Sequence, residues 1–258
     1  MRVLVVHPAQ QHSYRLATAL SKKGWLDKYI TTVYCKKHSL THFASLFLDT
    51  RFQKKAEARK CNELADKDVL QFCEIEGLFK LLAMNTAKLR PYYKRIKYHT
   101  ADRFARKVAR YAIQHNVDAV VSYDDCSSLL FELLEQQAPQ IIRVMDISAA
   151  NILYMRNIYE RDTVLQPTFA TQLLQEREIV WNPDNIERAK QEIQHTQVFL
   201  APSQFVARSL KYSGVMDKQI KICPYGVDTT LFAQKRYRSS EEMCHTPIRF
   251  IYVGGAKE

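Results

Sequence analysis

Short apolar segments rich in β-branched residues recur along the chain, and segments with helical spacing separate them. The strand candidates are residues 2–6, 29–34, 118–123, 141–146, 197–202, 219–223 and 249–254. Several of them are apolar throughout rather than alternating, which is typical of strands covered by helices on both faces. This alternation of strand and helix predicts an α/β fold with a Rossmann-like, doubly wound parallel sheet.

Three of the intervening segments, at 13–24, 127–137 and 182–194, have helical spacing. Gly24 follows the first at the position where helices commonly end. The third is expected to begin with an Asn or Asp cap, at Asn182 or Asp184, and Pro183 suits its first turn. The region from about 40 to 115 is expected to be a mostly helical insertion. The sequence shows no internal repeat.

Composition indicates a soluble globular protein, with 47% apolar and 25% charged residues over 258 positions. The six cysteines show no C-x-x-C spacing, so we interpret them as reduced thiols of a cytosolic protein and predict no metal site. The apolar run in "MRVLVVHPAQ" is too short for a signal peptide or a membrane span.

The net charge of +11 is concentrated in one region. Residues 51–110 contain 16 Lys and Arg against 7 Asp and Glu, a balance of +9. A helix is predicted over residues 100–113 with Thr100 as its N-cap, and four of its cations share one face: Arg103, Arg106, Lys107 and Arg110. This face is either simply solvated or docks anionic phospholipids or phosphate-bearing substrates. Nucleic acid is disfavoured because no stacking motif or helix-turn-helix is present.

Polar residues follow the first strand, where a doubly wound sheet places its ligands. Gln11, His12 and Ser13 feed a helix whose N-terminus favours an anion. No G-x-G-x-x-G is found there, so the nicotinamide and flavin fingerprint is absent. The alternative is that these are only turn and capping residues.

Acidic residues follow two later strands. Asp124 and Asp125 come after 118–123, and Asp146 ends 141–146. A carboxylate at the end of a buried strand is costly unless it is paired or lies in a cleft. Asp146 is therefore the predicted orienting or catalytic carboxylate, with a purely structural role as the alternative.

The C-terminal part has the most specific pattern. In "APSQFVARSL", Ser203 is placed to cap a helix that ends at Gly214. In "KICPYGVDTTLF", Pro224 stops a strand and Gly226 permits a sharp turn.

The order "APSQFVARSL", "KICPYGVDTTLF", "RFIYVGG" resembles glycosyltransferases of the GT-B fold, family 4 in particular. The resemblance implies an N-terminal domain at 1–222, followed at 223–258 by an interdomain crossing and the first strand of a second Rossmann-like domain. The crossing would comprise Pro224, Tyr225, Gly226 and Asp228, and Gly254 and Gly255 would begin the donor-side loop. The chain is then expected to be incomplete, because the donor-binding residues of the family would follow Glu258.

The resemblance implies transfer of a sugar from a nucleotide diphosphate donor to a glycan or lipid-linked acceptor, with retention and without a cofactor or metal. Asp146 would orient a sugar hydroxyl, and His12, Tyr14 and the basic 88–110 region would read the acceptor, with Gln11, Ser13 and Asp125 beside them. A cytoplasmic protein, peripheral at the inner membrane face, is expected. Two alternatives stay open: a non-catalytic fragment that binds acceptor or membrane, and a basic nucleic-acid-binding α/β protein.

Overall fold

The computed structural model describes residues 1–9, 12–46, 50–170 and 182–226. The chain divides into two compact units, Met1–Pro224 and Tyr225–Glu258. The strand predicted at 249–254 lies outside the described residues, as do four of the predicted site residues: Gln11, Asp228, Gly254 and Gly255. The domain assignment therefore stays a prediction.

A sheet of seven strands forms the centre of the first unit. The strands are β1 (Val3–His7), β2 (Leu26–Thr31), β3 (Val69–Gln71), β4 (Ala119–Tyr123), β5 (Ile142–Asp146), β6 (Val198–Ala201) and β7 (Ile220–Ile222). They lie in the order β3-β2-β1-β4-β5-β6-β7, and every neighbouring pair is parallel. The predicted α/β, Rossmann-like sheet is confirmed. The strand order reverses between β1 and β4, where ligand clefts form in such sheets.

Helices cover both faces of this sheet. Within the described residues they are α1 (Ser13–Lys22), α2 (Leu40–Leu46), α3 (Thr50–Glu57), α4 (Glu74–Asn85), α5 (Tyr93–Gln114), α6 (Ser128–Gln137), α7 (Ile152–Leu165), α8 (Pro183–His195) and α9 (Gln204–Tyr212). Leu4 and Val6 of β1 pack into one apolar core with α5, α6 and α9, whereas Val3 and Val5 pack into a second core with α1. Because successive residues of a strand face opposite sides, β1 is buried on both.

Several predicted helix ends are confirmed. The N-cap Ser203 accepts a hydrogen bond from the N–H of Val206 at 3.3 Å, and Asn182 caps α8 by accepting from the N–H of Asp184 at 3.0 Å. Gly24 follows α1 with φ of +69° and Gly214 follows α9 with φ of +92°. These are local features, so the sequence alone determines them.

The helix predicted at 100–113 is longer than expected, and Thr100 is not its N-cap. Helix α5 begins at Tyr93 and runs for 22 residues, which places Thr100 inside it with 1% of its surface exposed. A short 3₁₀ turn, Arg90–Tyr92, precedes α5 and contains Pro91. The prolyl ring suits the start of a helix, so the real start signal lay upstream of the threonine.

Two further elements were not predicted. The strand β3 lies within the region expected to be a helical insertion, and the helix α7 follows β5. A segment of three residues is too short to show the periodicity that identifies a strand. The strand β3 forms because it pairs with β2, where Tyr29 lies opposite Val69 and Thr31 lies opposite Gln71.

Gly77 of α4 lies unusually close to the end of β2. A Cβ atom built on Gly77 would be 2.7 Å from Oγ1 of Thr32 and 2.8 Å from Cγ2 of Val33. The substitution Gly77→Ala is therefore expected to destabilise the fold by about 1–3 kcal/mol, although alanine itself favours a helix by about 1 kcal/mol. Urea unfolding followed by circular dichroism measures this. Gly226→Ala is the matched control because a Cβ there meets open space, and equal stability of both variants would contradict the close packing.

Candidate functional site

A histidine and an aspartate meet at the carboxyl edge of the sheet. His12 lies between β1 and α1, and Asp146 is the last residue of β5. The Nε2 of His12 is 3.3 Å from Oδ2 of Asp146, and their side chains are 27% and 10% exposed. If Nε2–H donates to this carboxylate, the lone pair that accepts a proton lies on Nδ1. The pair thus has the arrangement of a general base and the carboxylate that orients it.

Tyr123 at the end of β4 fixes the position of His12. Its ring makes edge contacts with the rings of His12 and His7, each with centroids 5.2 Å apart. Burial lowers the pKa of His7 to about 4, so this ring is neutral near pH 7. His7 therefore supports Tyr123 as a neutral packing group, and His12 is the histidine of the site that is open to solvent.

An open cleft of about 460 Å³ lies at the same edge of the sheet. Its walls come from α5, α8 and the segments that follow β4 and β5. The polar groups that line it include Lys97, Tyr98, Asp124, Asp125, Asn185 and Glu192. His12 and Asp146 do not themselves line the cleft. The residue after Asp146, Ile147, lines it, and so does Asp124, which follows the strand partner of Asp146, Tyr123. The histidine–aspartate pair therefore lies beside the cleft.

Glu192 of the cleft is buried, and Asp124 is half-buried. Burial, with repulsion from Asp125, raises the pKa of Asp124 to about 6, and burial raises the pKa of Glu192 to about 8. Glu192 accepts hydrogen bonds from the N–H groups of Ser127 at 2.9 Å and Asp125 at 3.2 Å. It therefore anchors the loop between β4 and α6.

The wall formed by α5 and α8 presents an aromatic ring held by cations. The guanidinium carbon of Arg188 lies 4.4 Å from the ring centroid of Tyr98, and Arg188 also pairs with Asp102 at 3.2 Å. The hydroxyl of Tyr98 donates to Oδ1 of Asn185. Tyr98 is thus fixed in orientation, as is needed for stacking against a ligand.

Lys97 and Lys80 bring positive charge to the loops at this edge. Lys97 pairs with Asp125 at 2.5 Å. Lys80 donates to the carbonyl of Pro8 at 3.2 Å, and burial, followed by repulsion from Lys97 and Arg59, lowers its pKa to about 8. Lys80 therefore ties α4 to the segment after β1.

The predicted loop residues are only partly brought together. His12, Asp125 and Asp146 lie around this edge, whereas the hydroxyl of Ser13 is buried 2.9 Å from that of Tyr29 and does not face the cleft. The sequence analysis did not identify three further residues at this edge of the sheet: Tyr98, Lys80 and Glu192. They lie on helices without any motif, so no local signal identifies them.

The four cations predicted to share a face of α5 are all exposed, while Phe104 and Val108 on the other side of the helix are buried. The prediction that these four cations share one exposed face is confirmed. The role of this face, formed by Arg103, Arg106, Lys107 and Arg110, stays a prediction. Arg103 pairs with Glu76 of α4 at 2.8 Å.

The predicted crossing is described up to Gly226. The N–H of Cys223 donates to the carbonyl of Ala201 at 2.8 Å, so pairing with β6 continues to the residue before Pro224. Pro224, Tyr225 and Gly226 are exposed. Their role between two domains stays a prediction.

Five cysteines lie in the described residues, and all five are free thiols: Cys35, Cys61, Cys73, Cys126 and Cys223. Among the described helices, none combines the length and apolar character needed to cross a bilayer.

No protein-family model matches the sequence, and no curated protein matches it. Several solved structures match the fold of the chain. LpCGTa in complex with UDP is 11% identical with a TM-score of 0.48, over 90% of this chain and 55% of that one. HepE from Anabaena in complex with UDP is 13% identical with a TM-score of 0.42, over 90% and 46%.

A third structure, from Listeria monocytogenes and described as a UDP-N-acetylglucosamine 2-epimerase, is 11% identical with a TM-score of 0.46, over 85% and 44%. The chain thus spans about half the length of the solved structures it matches. These values do not assign it to a family.

Proposed function

We propose that this chain is the acceptor-side half of a GT-B glycosyltransferase, similar to family 4, which transfers a sugar from a nucleotide diphosphate to a glycan or lipid-linked acceptor. The observation that carries the proposal is the pairing of His12 with Asp146 near an open cleft at the carboxyl edge of the sheet. The motif order from "APSQFVARSL" to "RFIYVGG" supports it independently.

In this proposal the acceptor lies in the cleft, with a hydroxyl directed at His12. The hydroxyl proton moves to Nδ1 of His12 while Asp146 stabilises the resulting imidazolium. The acceptor oxygen bonds to the anomeric carbon, and the bond from that carbon to the diphosphate breaks with its electron pair going to the diphosphate. The Tyr98 ring and Asn185 are suited to a sugar ring and its hydroxyls.

The stereochemical outcome distinguishes two mechanisms. The family resemblance implies retention, in which Asp146 orients a sugar hydroxyl. The His12–Asp146 pair favours direct displacement with inversion, because a general base is what a single displacement needs. Nuclear magnetic resonance of the anomeric proton in the first-formed product decides between them.

The remaining parts of the proposal concern partners and location. We propose a cytoplasmic protein at the inner membrane face, with no metal requirement and no nucleic-acid partner, and with the donor held mainly by a second domain. The excess positive charge of residues 51–110 would then attract anionic lipid or an anionic acceptor.

The test compares the 258-residue chain with a longer product that also contains the proposed second domain. Both are incubated with a panel of nucleotide diphosphate sugars and extracted cell glycolipids, and released nucleoside diphosphate is measured. We expect release that depends on added acceptor from the longer product and none from the 258-residue chain. Turnover by the 258-residue chain would contradict the division into halves, and no release by either would contradict glycosyl transfer.

A further inference from the structure

Helix α4 exposes an apolar stripe to solvent. Ile75, Phe79 and Leu82 are spaced i, i+4 and i+7, so they share one face, and 68%, 47% and 53% of their surfaces are exposed. The opposite face is packed, because Gly77 lies against the end of β2 and Lys80 donates to the carbonyl of Pro8. An amphipathic helix of a globular protein normally turns its apolar stripe inward, so this one requires an explanation.

A groove extends the stripe towards α5. It has a volume of about 590 Å³, and its apolar lining comes from Ile75, Phe79, Leu89, Tyr92 and Ile96. Tyr92 is itself exposed, and tyrosine is enriched at the level of lipid headgroups, where its ring and its hydroxyl are both accommodated. The stripe and the groove together form what we call the α4 face.

Three cations lie at or next to the α4 face. Arg95 lines the groove, and Lys88 and Arg90 are the sequence neighbours of Leu89, which also lines it. Lys88, Arg90 and Arg95 are exposed, and no carboxylate within the described ranges pairs with any of them. Glu76 also lines the groove, but both acids of α4 are paired. Glu74 accepts from the N–H and the hydroxyl of Thr41 at 2.7 and 2.6 Å, and Glu76 pairs with Arg103 at 2.8 Å. The rim of the groove is therefore positively charged.

We propose that the α4 face docks the protein on an anionic lipid bilayer, with Phe79 and Leu82 entering the headgroup region and Lys88, Arg90 and Arg95 contacting lipid phosphates. This deepens the proposed function by assigning a surface to its membrane partner, and its biological meaning rests on that function. An apolar stripe flanked by cations is the pattern that binds to membrane interfaces. Each cation near an anionic surface strengthens binding about five-fold.

The charge distribution favours a bilayer over other occupants. In a two-fold dimer through this face, each copy presents the same cations to its partner, and like charges repel. Nucleic acid would satisfy the cations but leave the apolar stripe in water. A bilayer with anionic headgroups satisfies both.

The experiment is flotation of the 258-residue chain with vesicles of phosphatidylcholine alone or with 30% phosphatidylglycerol, in 0.1 M salt. We expect at least about 100-fold stronger binding to the anionic vesicles, since three cations each contribute about five-fold. Phe79→Ser/Leu82→Ser should weaken it at least ten-fold, and Lys88→Ala/Arg90→Ala/Arg95→Ala about 100-fold. Because all these side chains are exposed, the variants should keep the wild-type circular dichroism spectrum.

Matched controls separate this surface from general charge. Val164→Ser replaces an exposed apolar side chain of α7, and Lys23→Ala/Lys218→Ala/Lys221→Ala removes three exposed cations elsewhere. Both should bind like the wild type. In Phe79→Trp, emission from the new tryptophan should shift to the blue on anionic vesicles only.

Three results would overturn the proposal: no binding to anionic vesicles, equal losses in the control variants, or a dimer of the free chain that Phe79→Ser dissociates. The vesicle experiment needs no sugar donor. A failure of docking is therefore distinguishable from a failure of glycosyl transfer, which is read from nucleoside diphosphate release.

Discussion

Replacing His12 by alanine is expected to lower the rate of glycosyl transfer by about 10²–10⁴-fold with little change in acceptor affinity. The reason is that the proposed role of His12 is proton removal in the transition state, and general base catalysis contributes a factor of this size. The measurement, made on the longer product, is kcat and KM for the donor and acceptor found in the nucleoside diphosphate release screen. His115→Ala is the control, since His115 is exposed and follows α5 at the opposite edge of the sheet.

The pairing with Asp146 adds a second expectation. If the two residues act as a unit, the variant His12→Ala/Asp146→Ala should be no slower than His12→Ala alone, because effects within a catalytic unit are not additive. Added imidazole should restore part of the rate of His12→Ala. Additive losses without rescue by imidazole would indicate that His12 only supports the local structure.

The sequence predicts the elements of this fold whose signals are local. The strand β1 is an uninterrupted apolar run, and Ser203, Asn182 and Gly24 occupy helix ends in agreement with ordinary capping preferences. The misplaced start at Thr100 shows the limit of this reasoning. A threonine before a helical pattern looks like a cap, but the residues upstream of it are also helical because α5 packs on α4 and α6 along its length.

The site was predictable only in its strand-end residues. Asp146 stands out because an acid at the end of an apolar strand needs a compensating partner. The sequence does not reveal that the partner is His12, 134 positions away, because that depends on β5 lying two strands from β1. Tyr98 and Glu192 belong to helices whose orientation is set by packing. Their place in the cleft is therefore a property of the tertiary structure.

Asp124→Asn is expected to stabilise the folded chain at pH 7.5 by up to about 3 kcal/mol and to have little effect at pH 4. The pKa of Asp124 is about 6 in the folded chain against an ordinary value of 3.8, with burial as the main cause. The folded state therefore holds the proton more tightly than the unfolded state. The free energy of unfolding must then fall as pH rises from about 4 to about 6, and it stays low above that range.

Asparagine cannot ionise, so the free energy of unfolding of the variant does not fall over this pH range. Oδ1 of Asp124 is buried without a hydrogen-bond partner in the described part of the chain, so the amide sacrifices no bond made by that atom. Removal of the negative charge also relieves repulsion on Glu192, and this too stabilises the folded chain. Urea unfolding at pH 4, 5, 6 and 7.5 measures the difference, with Asp162→Asn on the exposed surface of α7 as the control. A variant that is equally destabilised at every pH would show that the Asp124 carboxylate is held by favourable contacts, and the burial argument for the acidic end of the cleft would be wrong.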